Sequence, residues 1–273
     1  MTQARPIVFL SDFGLDDEFV GTCHGVIARI APDGRIIDLT HGIPRQDVLR
    51  GAVVLARSLP YMPKDAVFLA VVDPGVGTGR RRIAVSTPSG QLLVGPDNGL
   101  LQFAWEALGG AMKAFEVNSR EAILEPLSAT FHARDVFAPA AAMLATGFPL
   151  EELGDELEPR TLVTLPWVEP HVEPGRIRCQ VLSVDRFGNV ALNARAEHLR
   201  EASLDGVPEL VLDAGGRSVP LAGAVTFGDL EEGQVGLLED SSGWQAVVLN
   251  GESAATALGL RPGDGVLLHG TGG

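Results

Sequence analysis

Asp73 and Arg80 bracket the stretch VVDPGVGTGR (71–80), in which two apolar residues run into a carboxylate, then Pro74, Gly75, Gly77 and Gly79, then a guanidinium. This pattern suits a carboxylate at a strand end, with a rigid turn folding Arg80 back to fix and hydrogen-bond it. A tight turn with solvated arginines at 80–82 accounts for the same residues equally well. A dinucleotide fingerprint does not fit, because the glycines run into the strand-like RRRIAVS instead of opening a helix after the first strand. No GxxxxGK[ST] occurs, which removes the usual triphosphate loop.

Three further segments carry candidate chemistry. SDFGLDDEFVG (11–21) places Asp12 at a strand end, where a carboxylate can accept both hydroxyls of a ribose. Asp16 or Asp17 is better placed to cap the helix that follows, which leaves Asp12 for a ligand. FHARD (131–135) sets His132 just before an apolar helix, with Asp135 as the expected cap and Arg134 as its partner. VDRFGNVALN (184–193) offers Asp185 for an ammonium group and Asn189 for a base edge, although a plain hairpin turn explains it too. The histidines show no HxH, HxD or HExxH spacing, so no metal site is expected.

The elements that must hold these residues follow from periodicity. PIVFL (6–10), RIIDLTH (35–41) and AVFLAVV (66–72) are buried strands, and apolar residues at helical spacing fill the stretches between them. RIAVSTP and QLLVG form a hairpin around Ser89 and Gly90, and 135–147 is a helix closed by Gly147. Strands alternating with helices define a mostly parallel α/β sheet, whose carboxyl rim would carry Asp12, His41 and Asp73. Acidic, proline-rich text from about 148 to 175 separates this part from regularly spaced short strands, which suggest a small antiparallel barrel or sandwich. The expected organisation is an N-terminal α/β sandwich domain, 1–165, and a smaller C-terminal antiparallel β-barrel domain, 166–273.

At 273 residues and 45% hydrophobic the chain can bury a sizeable core, and its formal charge of -14 argues against a nucleic-acid groove. The two cysteines, Cys23 and Cys179, make no disulfide framework, no segment has the length and apolarity of a membrane span, and a cytoplasmic location fits.

SDFGLDDEFVG, VVDPGVGTGRR, GPDNGLL, TFHARDVFAP and DRFGN, in this order, resemble the S-adenosylmethionine hydroxide adenosyltransferase family, relatives of the fluorinating and chlorinating enzymes. The resemblance covers nearly the whole chain. It implies a hydrolase that attacks the 5′ carbon of S-adenosyl-L-methionine with water, releasing adenosine and L-methionine, with no cofactor. It implies a homotrimer whose active sites lie between one subunit's N-terminal domain and its neighbour's C-terminal domain.

By the same resemblance Asp73, Arg80 and His132 form the catalytic triad, and Asp12 holds the ribose diol. Asp185 and Ser242 would bind the methionine end, Asn189 and the backbone near Ala254 the adenine, and Phe227 would pack on the adenine ring. Halogenating relatives lack the FHxRD histidine and replace the aspartate of VVDPGVG, so this chain resembles the water-using branch. Ala133 and Ala246 depart from the family pattern. The other readings are a halogenase, a non-catalytic adenosylmethionine or adenosine binder, and a metal-dependent phosphohydrolase.

Overall fold

The computed structural model describes residues 4–167 and 169–271. The chain divides into two compact units, Met1–Leu165 and Pro166–Gly273.

The first unit runs β1 (Ile7–Ser11), α1 (Phe19–Ile30), β2 (Ile36–Thr40), α2 (Val48–Ser58), β3 (Val67–Val71), β4 (Arg82–Ser86), β5 (Leu92–Pro96), α3 (Gln102–Ala107), β6 (Lys113–Glu116), α4 (Ala138–Ala145) and β7 (Glu156–Leu157). Its seven strands form one sheet in the order β2-β1-β3-β5-β4-β6-β7. β2, β1, β3 and β5 are mutually parallel, whereas β5-β4, β4-β6 and β6-β7 are antiparallel. β1 and β3 are buried along their whole length, as expected of strands covered on both faces. Alternate residues supply separate cores: Ile7 and Phe9 pack with α1 and α4, while Val8 and Leu10 pack with Leu55, Leu100 and Trp105.

The topology also fixes where chemistry belongs. The connection from β1 leads outward to β2, and the next returns across β1 to β3, so the strand order reverses at the β1/β3 junction. A crevice opens at such a reversal, beyond the carboxyl ends of the strands. Ser11 pairs with Val71, so Asp12 and Asp73 emerge side by side at this point.

The second unit runs β8 (His171–Glu173), β9 (Arg176–Val184), β10 (Val190–Leu192), α5 (Ala196–Glu201), β11 (Glu209–Ala214), β12 (Arg217–Gly223), β13 (Val235–Glu239), β14 (Gln245–Leu249), α6 (Ala254–Leu258) and β15 (Gly265–Gly270). Seven strands close into a barrel in the order β10-β14-β13-β12-β11-β15-β9, with β9 pairing back to β10 and β8 added outside β9. Closure leaves the seven strands no open edge. Only β12-β13 is parallel. The interior is aliphatic, from Ile177, Val181, Leu192, Leu212, Val247 and Leu268 among others.

Two local expectations need correction. Neither Asp16 nor Asp17 caps α1: the cap position is Glu18, whose side chain makes no capping bond. The helix after FHARD begins with a π-helical turn, Ala133–Phe137, before α4, so Asp135 lies inside the turn and is not its cap. Its carboxylate instead accepts the Ser128 N–H at 2.9 Å and a two-pronged bond from Arg134, tying the preceding loop to the turn.

Candidate active site

The glycine loop brings Arg80 back onto Asp73. Arg80 Nε donates to Asp73 Oδ1 at 2.8 Å and Nη2 donates to Oδ2, a bidentate pair whose side chains are 9% and 7% exposed. A fork–fork pair of this kind fixes both planes at once. The turn is closed by Val76 N–H donating to the Asp73 carbonyl and by the Thr78 N–H and hydroxyl donating to the Gly75 carbonyl. Of the three glycines Gly77 is the constrained one: its φ is +77°, and a Cβ there would lie 2.4 Å from the Ala129 carbonyl oxygen.

The reading of 80–82 as solvated arginines fails. Arg81 pairs with Asp97, Nε to Oδ2 at 2.7 Å, and Arg82 faces Glu116 at 4.0 Å. GPDNGLL therefore supports the loop from behind: Asp97 holds Arg81, and Asn98 Nδ2 donates to the Val72 carbonyl next to Asp73 at 2.8 Å.

His132 completes the cluster from a different element. It directly precedes the π-helical turn, is 8% exposed, and its Nδ1 lies 3.0 Å from Arg80 Nη2. A guanidinium only donates, so Nδ1 is the acceptor and the neutral ring carries its proton on Nε2. Burial first, then the positive charges of Arg80 and Arg82, hold the His132 pKa below its ordinary value, outweighing Asp73 and Asp135. The ring is therefore neutral at pH 7. The Arg80 guanidinium also stands 5.1 Å over the Phe137 ring, within the same π-helical turn.

Asp73, His132, Asp12 and His41 line one cleft of about 680 Å³, so the three rim residues expected from the strand ends do converge. Asp12 Oδ2 accepts the Gln46 N–H at 2.8 Å, and Gln46 adopts φ 63°, a left-handed conformation rare for a glutamine. The cleft also contains residues the motifs did not single out. Phe13 and Phe131 meet edge to face at 6.2 Å, and Phe19 packs on Phe131 at 5.1 Å, giving the cleft an aromatic wall. Their signal was position: Phe13 follows Asp12 and Phe131 precedes His132.

In the barrel unit Asp185, Asn189 and Ala254 come together. Asp185 Oδ1 accepts the N–H groups of Phe187 and Asn189 at 2.8 and 2.9 Å, and Oδ2 accepts Asn189 Nδ2 at 2.8 Å. The turn rests on the start of α6, where Ala255 N–H donates to the Gly188 carbonyl and a Cβ on Gly188 would lie 2.1 Å from Ser253 Oγ. Phe227, 47% exposed, sits on a short 3₁₀ turn before β13, and Ser242 in the β13-β14 hairpin. These two stand on loops separate from the Asp185 turn.

An α/β unit with a buried carboxylate, guanidinium and imidazole at the sheet's switch point, followed by a closed barrel, defines a two-domain protein with an enzyme-like cleft. The chain belongs to the SAM hydroxide adenosyltransferase family: the family's N-terminal domain matches residues 7–154 and its C-terminal domain residues 179–267. It is 48% identical to an (R)-S-adenosyl-L-methionine hydrolase of Salinispora tropica over 94% of this chain and 95% of that protein. A fluorinase of Nocardia brasiliensis is a more distant relative, 30% identical over 95% of each chain. The crystal structure of an uncharacterized conserved protein from Thermotoga maritima superposes with a TM-score of 0.91 at 36% identity, covering 96% of this chain and 99% of that one.

Proposed function

We propose that the protein hydrolyses S-adenosyl-L-methionine at its 5′ carbon, giving adenosine, L-methionine and a proton. The observation that carries this reading is the buried Asp73–Arg80–His132 cluster at a cleft that also presents Asp12. Water's oxygen bonds to C5′ as the C5′–S bond breaks, and the electron pair of that bond goes to sulfur. The leaving methionine departs neutral, so the demand falls on the nucleophile: it must be aligned opposite sulfur and lose a proton.

The tautomer supports one division of the roles. With Nδ1 taken by Arg80, neutral His132 offers an N–H, so it donates to the water oxygen and orients it. Asp73 keeps a lone pair on each oxygen beyond those bound by Arg80, and takes the proton. A carboxylate paired with arginine is a weak base, yet a sufficient one, because water becomes strongly acidic as its oxygen bonds to carbon. Alignment contributes on the order of 7 kcal/mol and proton transfer roughly 3 to 5 kcal/mol.

For substrate binding, the Asp12 oxygen not engaged by Gln46 suits the ribose diol, and Phe13 and Phe131 suit apolar contact. Asp185 Oδ1 is saturated by its two N–H partners and Oδ2 already accepts Asn189 Nδ2, so the remaining lone pair of Oδ2 is assigned to the methionine ammonium, with Ser242 contributing from its own loop. Asn189 keeps its carbonyl for the adenine edge near Ala254, with Phe227 against the ring. No separate cofactor enters this scheme. The reading further takes the working form to be a cytoplasmic homotrimer in which a neighbouring copy's barrel unit completes each site. Among the described residues no helix is long and apolar enough to cross a membrane.

The deciding experiment is turnover of S-adenosyl-L-methionine in oxygen-18 water with chloride or fluoride present. The expected product is adenosine labelled at the 5′-hydroxyl; unlabelled adenosine, a 5′-halo nucleoside or no released methionine overturns the reading. Light scattering that gives a single-chain mass would remove the trimer.

A further inference from the structure

Outside the triad, the fold gathers a second polar cluster that the sequence spacing concealed. His24 lies on α1, Asp38 within β2 and His41 just beyond β2. His24 Nε2 is 2.9 Å and His41 Nε2 3.0 Å from the same oxygen, Asp38 Oδ1. One ligand atom from each of the three residues lies within 4.8 Å of the others.

We propose that His24, Asp38 and His41 form a binding site for a divalent transition-metal ion of the zinc class. Two imidazoles and one carboxylate are the donor set such ions take, whereas calcium and magnesium prefer oxygen throughout. Bonds of about 2.0 to 2.1 Å at a tetrahedral ion place neighbouring ligand atoms roughly 3.4 Å apart. Both nitrogen–oxygen separations are a few tenths of an ångström from that value.

The surroundings are those of a prepared ligand set. His41 Nδ1 lies 2.7 Å from Ser11 Oγ, an oxygen that can accept the Nδ1 proton and so turn the Nε2 lone pair, on the Asp38 side of the ring, toward an ion. Phe9, fully buried, packs edge-on against His41 at 4.7 Å and tilted against His24 at 6.1 Å, so both rings are held. The His41 side chain is 3% exposed, but those of His24 and Asp38 are 33% and 42% exposed, which provides an entry path and room for water in the remaining positions. Gly14 N–H donates to the His41 carbonyl and Ser11 precedes Asp12, so an ion here would brace the loop that carries Asp12.

The test is calorimetric titration of the full chain with zinc chloride after dialysis against a chelator, on wild type, His24→Ala and Asp38→Asn, with circular dichroism to confirm that each is folded. The expected result is one site per chain in wild type, weakened at least about tenfold in both variants, and a zinc-dependent rise in Tm that both variants lose. Absence of binding to wild type, or wild-type affinity in either folded variant, overturns the proposal.

Discussion

Asp73 and Asp185 each follow a strand and open a glycine-containing turn, yet they end in opposite circumstances. Asp73 is held by Arg80, seven residues on, and Arg80 is met in turn by His132, 52 residues beyond it, with the carboxylate 7% exposed. Asp185 is held by its own turn: Phe187 and Asn189 are its partners, and the residue is exposed. A carboxylate satisfied wholly within its turn builds a loop, and one tied through its arginine to a distant, buried histidine is an instrument whose geometry the whole fold maintains. The bonds of the first lie within one turn; the His132 contact of the second exists only in the folded unit.

That contrast can be broken in several ways. Asp73→Asn and His132→Ala should each lower kcat at least about a hundredfold with S-adenosyl-L-methionine still bound, measured by methionine release and calorimetry; near-normal turnover would place the chemistry elsewhere. Gly77→Ala should cost about 1 to 3 kcal/mol in denaturant unfolding and impair turnover, since it forces a left-handed alanine against Ala129. Gly79→Ala, with φ outside that region and nothing within 4 Å of the new Cβ, should cost no more than about 0.5 kcal/mol. Equal costs would show that the turn is not built as described.

The pH profile sharpens the role of His132. Its folded pKa is depressed below the ordinary value of about 6.5 by burial, then by Arg80 and Arg82. Above about 6.5 the ring is neutral folded or unfolded, and its arrangement is fully present. As pH falls through the depressed value the ring protonates, Nδ1 ceases to accept from Arg80, and both turnover and this contribution to stability are lost. An acidic limb of about tenfold per pH unit, centred below about 6.5, is expected; a centre at or above that value contradicts the assignment. The smallest effect belongs to the other aspartate: Asp185→Ala should cost about 1 kcal/mol of stability and raise KM more than it lowers kcat. A hundredfold fall in kcat at saturating substrate would erase the distinction between the two.

Much of the α/β unit was legible because fully buried strands leave plain apolar runs. PIVFL, AVFLAVV and the hairpin at Ser89–Gly90 fall within a residue or two of β1, β3 and β4-β5. The rim residues Asp12, His41 and Asp73 were legible for the same reason, since strand ends locate the crevice. The errors arose where a short polar residue could satisfy several local roles. Asp16, Asp17 and Asp135 all resemble helix caps, but Asp135 was recruited by Ser128 and Arg134 through a π-helical turn that no periodicity announces. The support of Asp12 by a strained Gln46 backbone was equally invisible, because it joins residues 34 apart.

The sequence alone determined the alternating strands and helices, the glycine turn after Asp73 and the family motifs, because these rest on local periodicity and residue type. Tertiary structure decided that Arg81 meets Asp97, which nitrogen of His132 accepts from Arg80, and that His24 and His41 share one oxygen of Asp38. Such pairings depend on strand order and on burial, which turns a mere proximity of charges into a fixed geometry by excluding the water that would otherwise compete for each partner.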